Sequence, residues 1–147
     1  MKKFVLLFTC MFITVFVFAQ TNFQELTLAK ALEKAKIENK YVFVDCYTSW
    51  CGPCKMMAAD ILPLKEVGEY MNATFVSVKF DMEKGEGRDI QQKYKVSSYP
   101  TFLVLNVDGS LLHAVVGASA TGEEFVARVK EAFDDNSAGK LAVEYEK

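Results

Sequence analysis

The stretch that decides the fold is Val44-Asp45-Cys46-Tyr47-Thr48-Ser49-Trp50-Cys51-Gly52-Pro53-Cys54-Lys55. Tyr41 to Val44, just before it, is a short apolar, β-rich run and reads as a buried strand. Pro53 suits the first turn of a helix, where its missing N–H costs nothing. Lys55 to Ala59 are mostly good helix formers. Cys51 therefore stands where a strand's loop feeds a helix. A thiolate is the reactive form of cysteine and is favoured at such a helix start, where free N–H groups and the helix dipole oppose its charge. Cys54 lies about one turn further on, within reach to resolve a mixed disulfide formed on Cys51. Gly52 and Pro53 keep the outer face small, and Trp50 supplies an apolar collar.

Outward from that motif, the chain alternates helical and strand patterns. Leu28, Ala31, Leu32 and Ala35 recur at helical spacing behind Thr27 as cap, and the helix stops at Asn39. Pro63 should kink or end the helix that follows the cysteines, with a second helical piece from Leu64 to Met71. Thr74 to Phe80 reads as a strand, and a short helix is expected over Arg88 to Tyr94. Strands Thr101 to Leu105 and Leu111 to Val116 should form a hairpin through Asn106-Val107-Asp108-Gly109. Thr121 with Glu124 has capping-box spacing for a final helix, whose apolar face is Phe125, Val126, Val129, Ala132 and Phe133. Strands separated by helices imply parallel crossovers, whereas the tight hairpin must be antiparallel. The expected fold class is α/β: one domain with a central mixed sheet and helices on both faces.

The first residues read differently. Lys2 and Lys3 precede an apolar run from Phe4 to Phe18, and Val17-Phe18-Ala19 places small residues where a signal peptidase cuts. Residues 1–19 are therefore expected to be a signal peptide, the alternative being an uncleaved membrane anchor. Residues 20–147 would be a single domain with a frayed, polar tail. Of 17 basic and 19 acidic residues, Lys2 and Lys3 leave with the signal, giving 15 − 19 = −4. That charge is mild and scattered, which argues against nucleic acid as a partner. Three of the four cysteines remain: Cys46, Cys51 and Cys54. An odd number in an exported chain argues against a disulfide framework, and export favours a compartment where disulfides persist.

Two other uses of the cysteines fit the sequence less well. Structural zinc wants four ligands, and the chain offers one pair, Cys46 and a distant His113, read as a surface strand residue. A purely structural bridge would close so short a loop that its entropic gain is small. Redox chemistry without cofactor or metal is the reading that fits.

On these residues the sequence resembles the thioredoxin family. The Val44–Lys55 run is similar to its active-site strand and helix, Tyr99-Pro100-Thr101 resembles its cis-proline segment, and the likeness covers about residues 26–134. The resemblance implies a thioredoxin fold and a thiol–disulfide oxidoreductase acting on protein disulfides through a Cys51–Cys54 pair. It also implies that Asp45 assists proton transfer at Cys54, with Lys79 as its neighbour. A carboxylate in an apolar strand has a raised pKa and can accept a thiol proton. By the same resemblance Pro100 would be cis and set the Tyr99 backbone against an extended substrate, which Gly117 lets approach. Trp50, Gly52 and Pro53 would complete the docking surface.

Tyr47 stands where thioredoxin itself has tryptophan, Tyr99 replaces an aliphatic residue, and residues 58–72 form a longer stretch. With the signal peptide, these features are similar to thioredoxin-like interchange proteins of bacterial envelopes, so periplasm or cell envelope is the expected location. Cys46 alternates away from Asp45 and is expected to be a buried core thiol. Cys-Gly-Pro-Cys is associated in thioredoxin with a potential near about −270 mV, which favours reductase or isomerase work over net oxidation. A monomer fed by a membrane electron donor is expected. The rival is a peptide-binding or chaperone module using the same groove.

Overall fold

The computed structural model describes residues 20–134. The expected signal peptide (1–19) and the end of the expected tail (135–147) lie outside the described residues.

Four strands form one sheet in the order β2-β1-β3-β4: β1 (Tyr41–Tyr47), β2 (Phe75–Asp81), β3 (Thr101–Leu105) and β4 (Leu111–Val116). β1 and β2 are parallel, while β3 runs antiparallel to both β1 and β4. The sheet is mixed, as the connection lengths require.

The helices follow their local signals. α1 (Leu28–Glu38) is capped by Thr27, whose side chain accepts from Lys30 N–H, and ends at Asn39 in the left-handed region. α2 (Gly52–Met56) opens with Cys51 as N-cap and runs into one π-helical turn, Met57–Ile61. Leu62 N–H reaches Met57 O at 2.9 Å there. Pro63 has no N–H to offer and its ring would crowd the carbonyl four residues back, so the helix loosens and stops just before it. α3 (Lys65–Thr74) and α4 (Glu86–Lys93) follow. In α5 (Gly122–Lys130) Thr121 Oγ1 accepts from Glu124 N–H at 3.1 Å. The Glu124 carboxylate answers by accepting from Ala120 N–H at 2.8 Å, one residue earlier than a standard capping box.

Some boundaries differ from the sequence reading. β1 continues through Asp45 and Cys46 to Tyr47 instead of ending at Val44, because β3 keeps pairing with it to Cys46 and β2 to Tyr47. Helix α3 runs on through Thr74, so β2 starts one residue later than expected. α4 starts two residues earlier, where Gly85, at φ +49°, turns the chain into the helix.

Alternation along the strands splits the core in two. Val42, Val44 and Cys46 face one side with Val76, Val78, Leu103 and Leu105, under α1 and Ile90 of α4. Phe43 faces the other side, with Phe102, Met57, Val67, Met71, Phe125 and Val129. There Phe43 stacks on Phe102 at 5.6 Å and meets the edge of Phe125 at 6.1 Å. Helices thus cover both faces of the sheet.

Candidate active site

β1 delivers the chain to the site through Thr48–Trp50. Cys51, in extended geometry at the N-cap, is bonded to Cys54 in a disulfide whose Cα atoms are 5.3 Å apart. Cys51 Sγ accepts the Cys54 N–H at 3.1 Å. In the oxidised pair that sulfur occupies the place where the thiolate would sit, so the first-turn N–H already points at it. Cys51 and Cys54 are both buried, 3 % and 7 % exposed, and differ in position: Cys51 caps the helix and Cys54 lies inside its first turn. Gly52 and Pro53 are exposed between them, and a Cβ on Gly52 would meet nothing within 4 Å. The outer face of the pair is therefore open to another chain.

Asp45 lies on β1, six residues before Cys51, on the Phe43 side of the sheet that also carries α2. It is buried, and its Oδ1 makes no hydrogen bond within the protein. Burial pushes its carboxyl up to about 7, partly offset by Lys79. Lys79 is the β2 residue directly paired with Asp45. Its side chain is also solvent-exposed, as an isolated strand lysine usually is, with Nζ 5.9 Å from the centre of the Phe23 ring.

The residues expected to dock substrate come from three further segments. The Tyr99–Pro100 peptide is cis, and Pro100 O accepts from Gly117 N–H at 2.8 Å. Gly117 has φ +87°, a conformation that disfavours any side chain, and the space where a Cβ would lie is open. Trp50 is 64 % exposed and lies edge-on to Tyr99, ring centres 6.0 Å apart. Two partners that sequence reasoning missed hold this aromatic pair. Glu83 accepts from Trp50 Nε1 at 3.0 Å, and Gln91 Nε2 donates to Tyr99 Oη at 2.6 Å. Both sit in polar, helix- or loop-like sequence that gave no sign of facing the site.

The remaining candidates stand apart. Cys46 is a free, fully buried thiol, and burial pushes its pKa up, away from reactivity. His113 is less superficial than its strand position suggested: its side chain is only 16 % exposed, with Glu131 at 4.0 Å. Burial lowers its pKa. Among the described residues no group of three His, Cys, Asp or Glu side chains could hold a metal ion.

Comparison with known proteins agrees with this geometry. Residues 28–133 match the family model described as "Thioredoxin-like domain". Thioredoxin-1 of Saccharomyces cerevisiae is 36 % identical over 109 residues, covering 74 % of this chain and 93 % of that protein. The solution structure of a candidate disulphide-isomerase from Bacteroides thetaiotaomicron superposes with a TM-score of 0.71 at 40 % identity, over 80 % of this chain and 96 % of that one. The oxidised C-terminal domain of DsbD from Neisseria meningitidis shares the fold, with a TM-score of 0.61 at 24 % identity, over 76 % and 98 % of the two chains. With a Cys-x-x-Cys disulfide at the head of a helix and relatives of this kind, the chain belongs to the thioredoxin-like family and is a thiol–disulfide oxidoreductase.

Proposed function

We propose that the protein is a reductase or isomerase of protein disulfides rather than a net oxidant, working as a monomer in the periplasm or cell envelope. The observation that carries the exchange chemistry is the Cys51–Cys54 pair at the start of α2, bare at Gly52-Pro53 and preceded by Trp50, whose ring meets that of Tyr99 ahead of the cis Pro100. In the reduced enzyme the Cys51 thiolate attacks one sulfur of a substrate disulfide, and the other substrate sulfur leaves as a thiolate. Cys54 then attacks Cys51 Sγ, releasing the second substrate thiolate and closing the Cys51–Cys54 bridge. Two electrons have passed to the substrate, which ends as two thiols.

Asp45 takes the proton that Cys54 must lose. A carboxyl with a pKa of about 7 is partly ionised at neutral pH and so can both accept and return that proton. Lys79 stabilises its ionised form. Trp50, Gly52, Pro53, Tyr99, Pro100 and Gly117 form the surface on which an extended substrate lies. The export expected from residues 1–19 and the likeness to the Bacteroides protein support an envelope location. A reductase there needs a donor to re-open its disulfide, and a membrane protein is the natural source.

Replacing Cys51 with Ser should abolish insulin reduction in a turbidity assay. A variant that still reduced insulin would refute the mechanism, and one that kept its cellular role would favour the peptide-binding module. Cys54→Ser should trap substrates as mixed disulfides on Cys51. Equilibration of the pair with glutathione decides direction: a potential near about −270 mV is expected, and one near about −120 mV would make it an oxidant.

A further inference from the structure

The loop that joins β4 to α5 is curled around one guanidinium. Arg128, half-buried on α5, donates through Nη2 to Val116 O at 2.6 Å. Through Nη1 it reaches Ala118 O at 3.1 Å, Ser119 Oγ at 2.9 Å and, more distantly, Gly117 O at 3.5 Å. Four consecutive residues thus turn an acceptor to a single side chain. Among the described residues Arg128 forms no ion pair. Its donors are spent on this loop.

The same loop is tied on two other sides. Gly117 N–H donates to Pro100 O, and Ser119 N–H reaches Met57 Sδ at 3.4 Å. Met57 is buried at the end of α2, the helix that carries the redox pair. The main chain turns at Gly117, φ +87°, its neighbouring carbonyls meet Arg128 of α5, and the space where a Gly117 Cβ would lie is open. A flat, rigid fork with five donors suits this task. Lysine, a compact charge on a flexible stem, cannot satisfy the same set together.

We infer that Arg128 is a positioning residue for substrate docking: its guanidinium fixes the Val116–Ser119 main chain so that Gly117 stays against Pro100 and presents an open, preformed edge to an extended substrate segment. Arg128 touches neither sulfur nor substrate and acts only through Gly117. A preformed edge spares the substrate the ordering of that loop on binding, so its loss falls on substrate affinity. The inference rests on the reading of Pro100 and Gly117 as a docking surface for protein disulfides.

The test compares two substrates in wild type and Arg128→Lys, with dithiothreitol as electron source. One is insulin, which must lie along the groove. The other is a small aromatic disulfide, which needs only the sulfur. For Arg128→Lys the KM for insulin should rise about fivefold, while kcat and the small-disulfide rate stay within about twofold. Arg128→Met should show the same split, more strongly. The inference is overturned by an unchanged insulin KM in Arg128→Lys. Equal losses on both substrates would also overturn it, because they would mark a merely structural role. If Arg128→Met fails to fold, Arg128→Lys decides alone. Wild-type protein inactive on insulin but active on the small disulfide would sink the docking reading itself, an outcome distinct from both.

Discussion

Asp45 is an expensive residue to keep on a central strand. Its neighbours in the register are Phe102 on one side and Lys79 on the other, and one carboxylate oxygen has no hydrogen-bond partner within the protein. Burial penalises the charged form, and Lys79, itself exposed, removes only part of the penalty. The folded carboxyl holds its proton to about 7, whereas the unfolded one releases it near 3.8. Between those values the folded state binds more protons, so stability falls as pH rises and levels off above about 7. The slope approaches about 1.4 kcal/mol per pH unit in the middle of that window. Urea unfolding of the oxidised protein at pH 5, 6, 7 and 8 should show this decline, and Asp45→Asn should lack it and overtake wild type at the alkaline end. Parallel pH profiles for the two proteins would mean that the carboxyl is not held protonated by its surroundings. The raised pKa suits the proton-acceptor role proposed for Asp45: a fully solvated aspartate would be too weak to deprotonate a thiol.

At the scale of elements, the helix ends carry much of the local specification. Thr121 and Glu124 form reciprocal bonds at the head of α5, and α5 supplies Phe125 and Val129 to the core below the redox helix and Arg128 to the Val116–Ser119 loop. Thr121→Ala should cost about 1 kcal/mol, read as a lower urea midpoint with unchanged slope, and Thr121→Ser should restore most of it. A change in slope instead would mean that the helix frays as a unit rather than losing one cap. Such ends are legible in sequence because cap, turn and proline signals are local: Thr27, Asn39, Pro53, Pro63 and the Asn106–Gly109 turn all act where they stand. The π-helical turn was not legible. Pro63 announces that the helix must end, but how the preceding turn relaxes depends on burying Met57 and Ile61 against the sheet.

At the scale of the molecule, what sequence could not show is the set of contacts made by polar residues across the fold. Glu83, Gln91 and Arg128 look like ordinary surface residues until the chain brings them to Trp50, Tyr99 and Gly117. The segment 20–26 is a sharper case. Gln20 to Glu25 is a mostly polar stretch, yet Phe23 bridges to Ser77 in parallel with β2 and Gln24 N–H donates to Ser77 O at 2.9 Å. The segment thereby covers the outer edge of β2, which would otherwise offer unpaired groups to another strand. Asn72 on α3 pins it, accepting from Asn22 N–H at 2.8 Å and donating to Gln20 O at 2.9 Å. The Phe23 ring then lies 6.3 Å from Phe43 and beneath Lys79, so this strap borders the charge that faces Asp45. Because alanine is a better helix former than asparagine, Asn72→Ala should leave global stability little changed while loosening the strap. Amide exchange at Gln24 should then quicken roughly tenfold, with the β1 amides unaffected, since a local opening has been made easier without weakening the sheet. If Gln24 instead exchanges only in step with β1, the segment opens only when the whole domain does, and Asn72 is not what secures it.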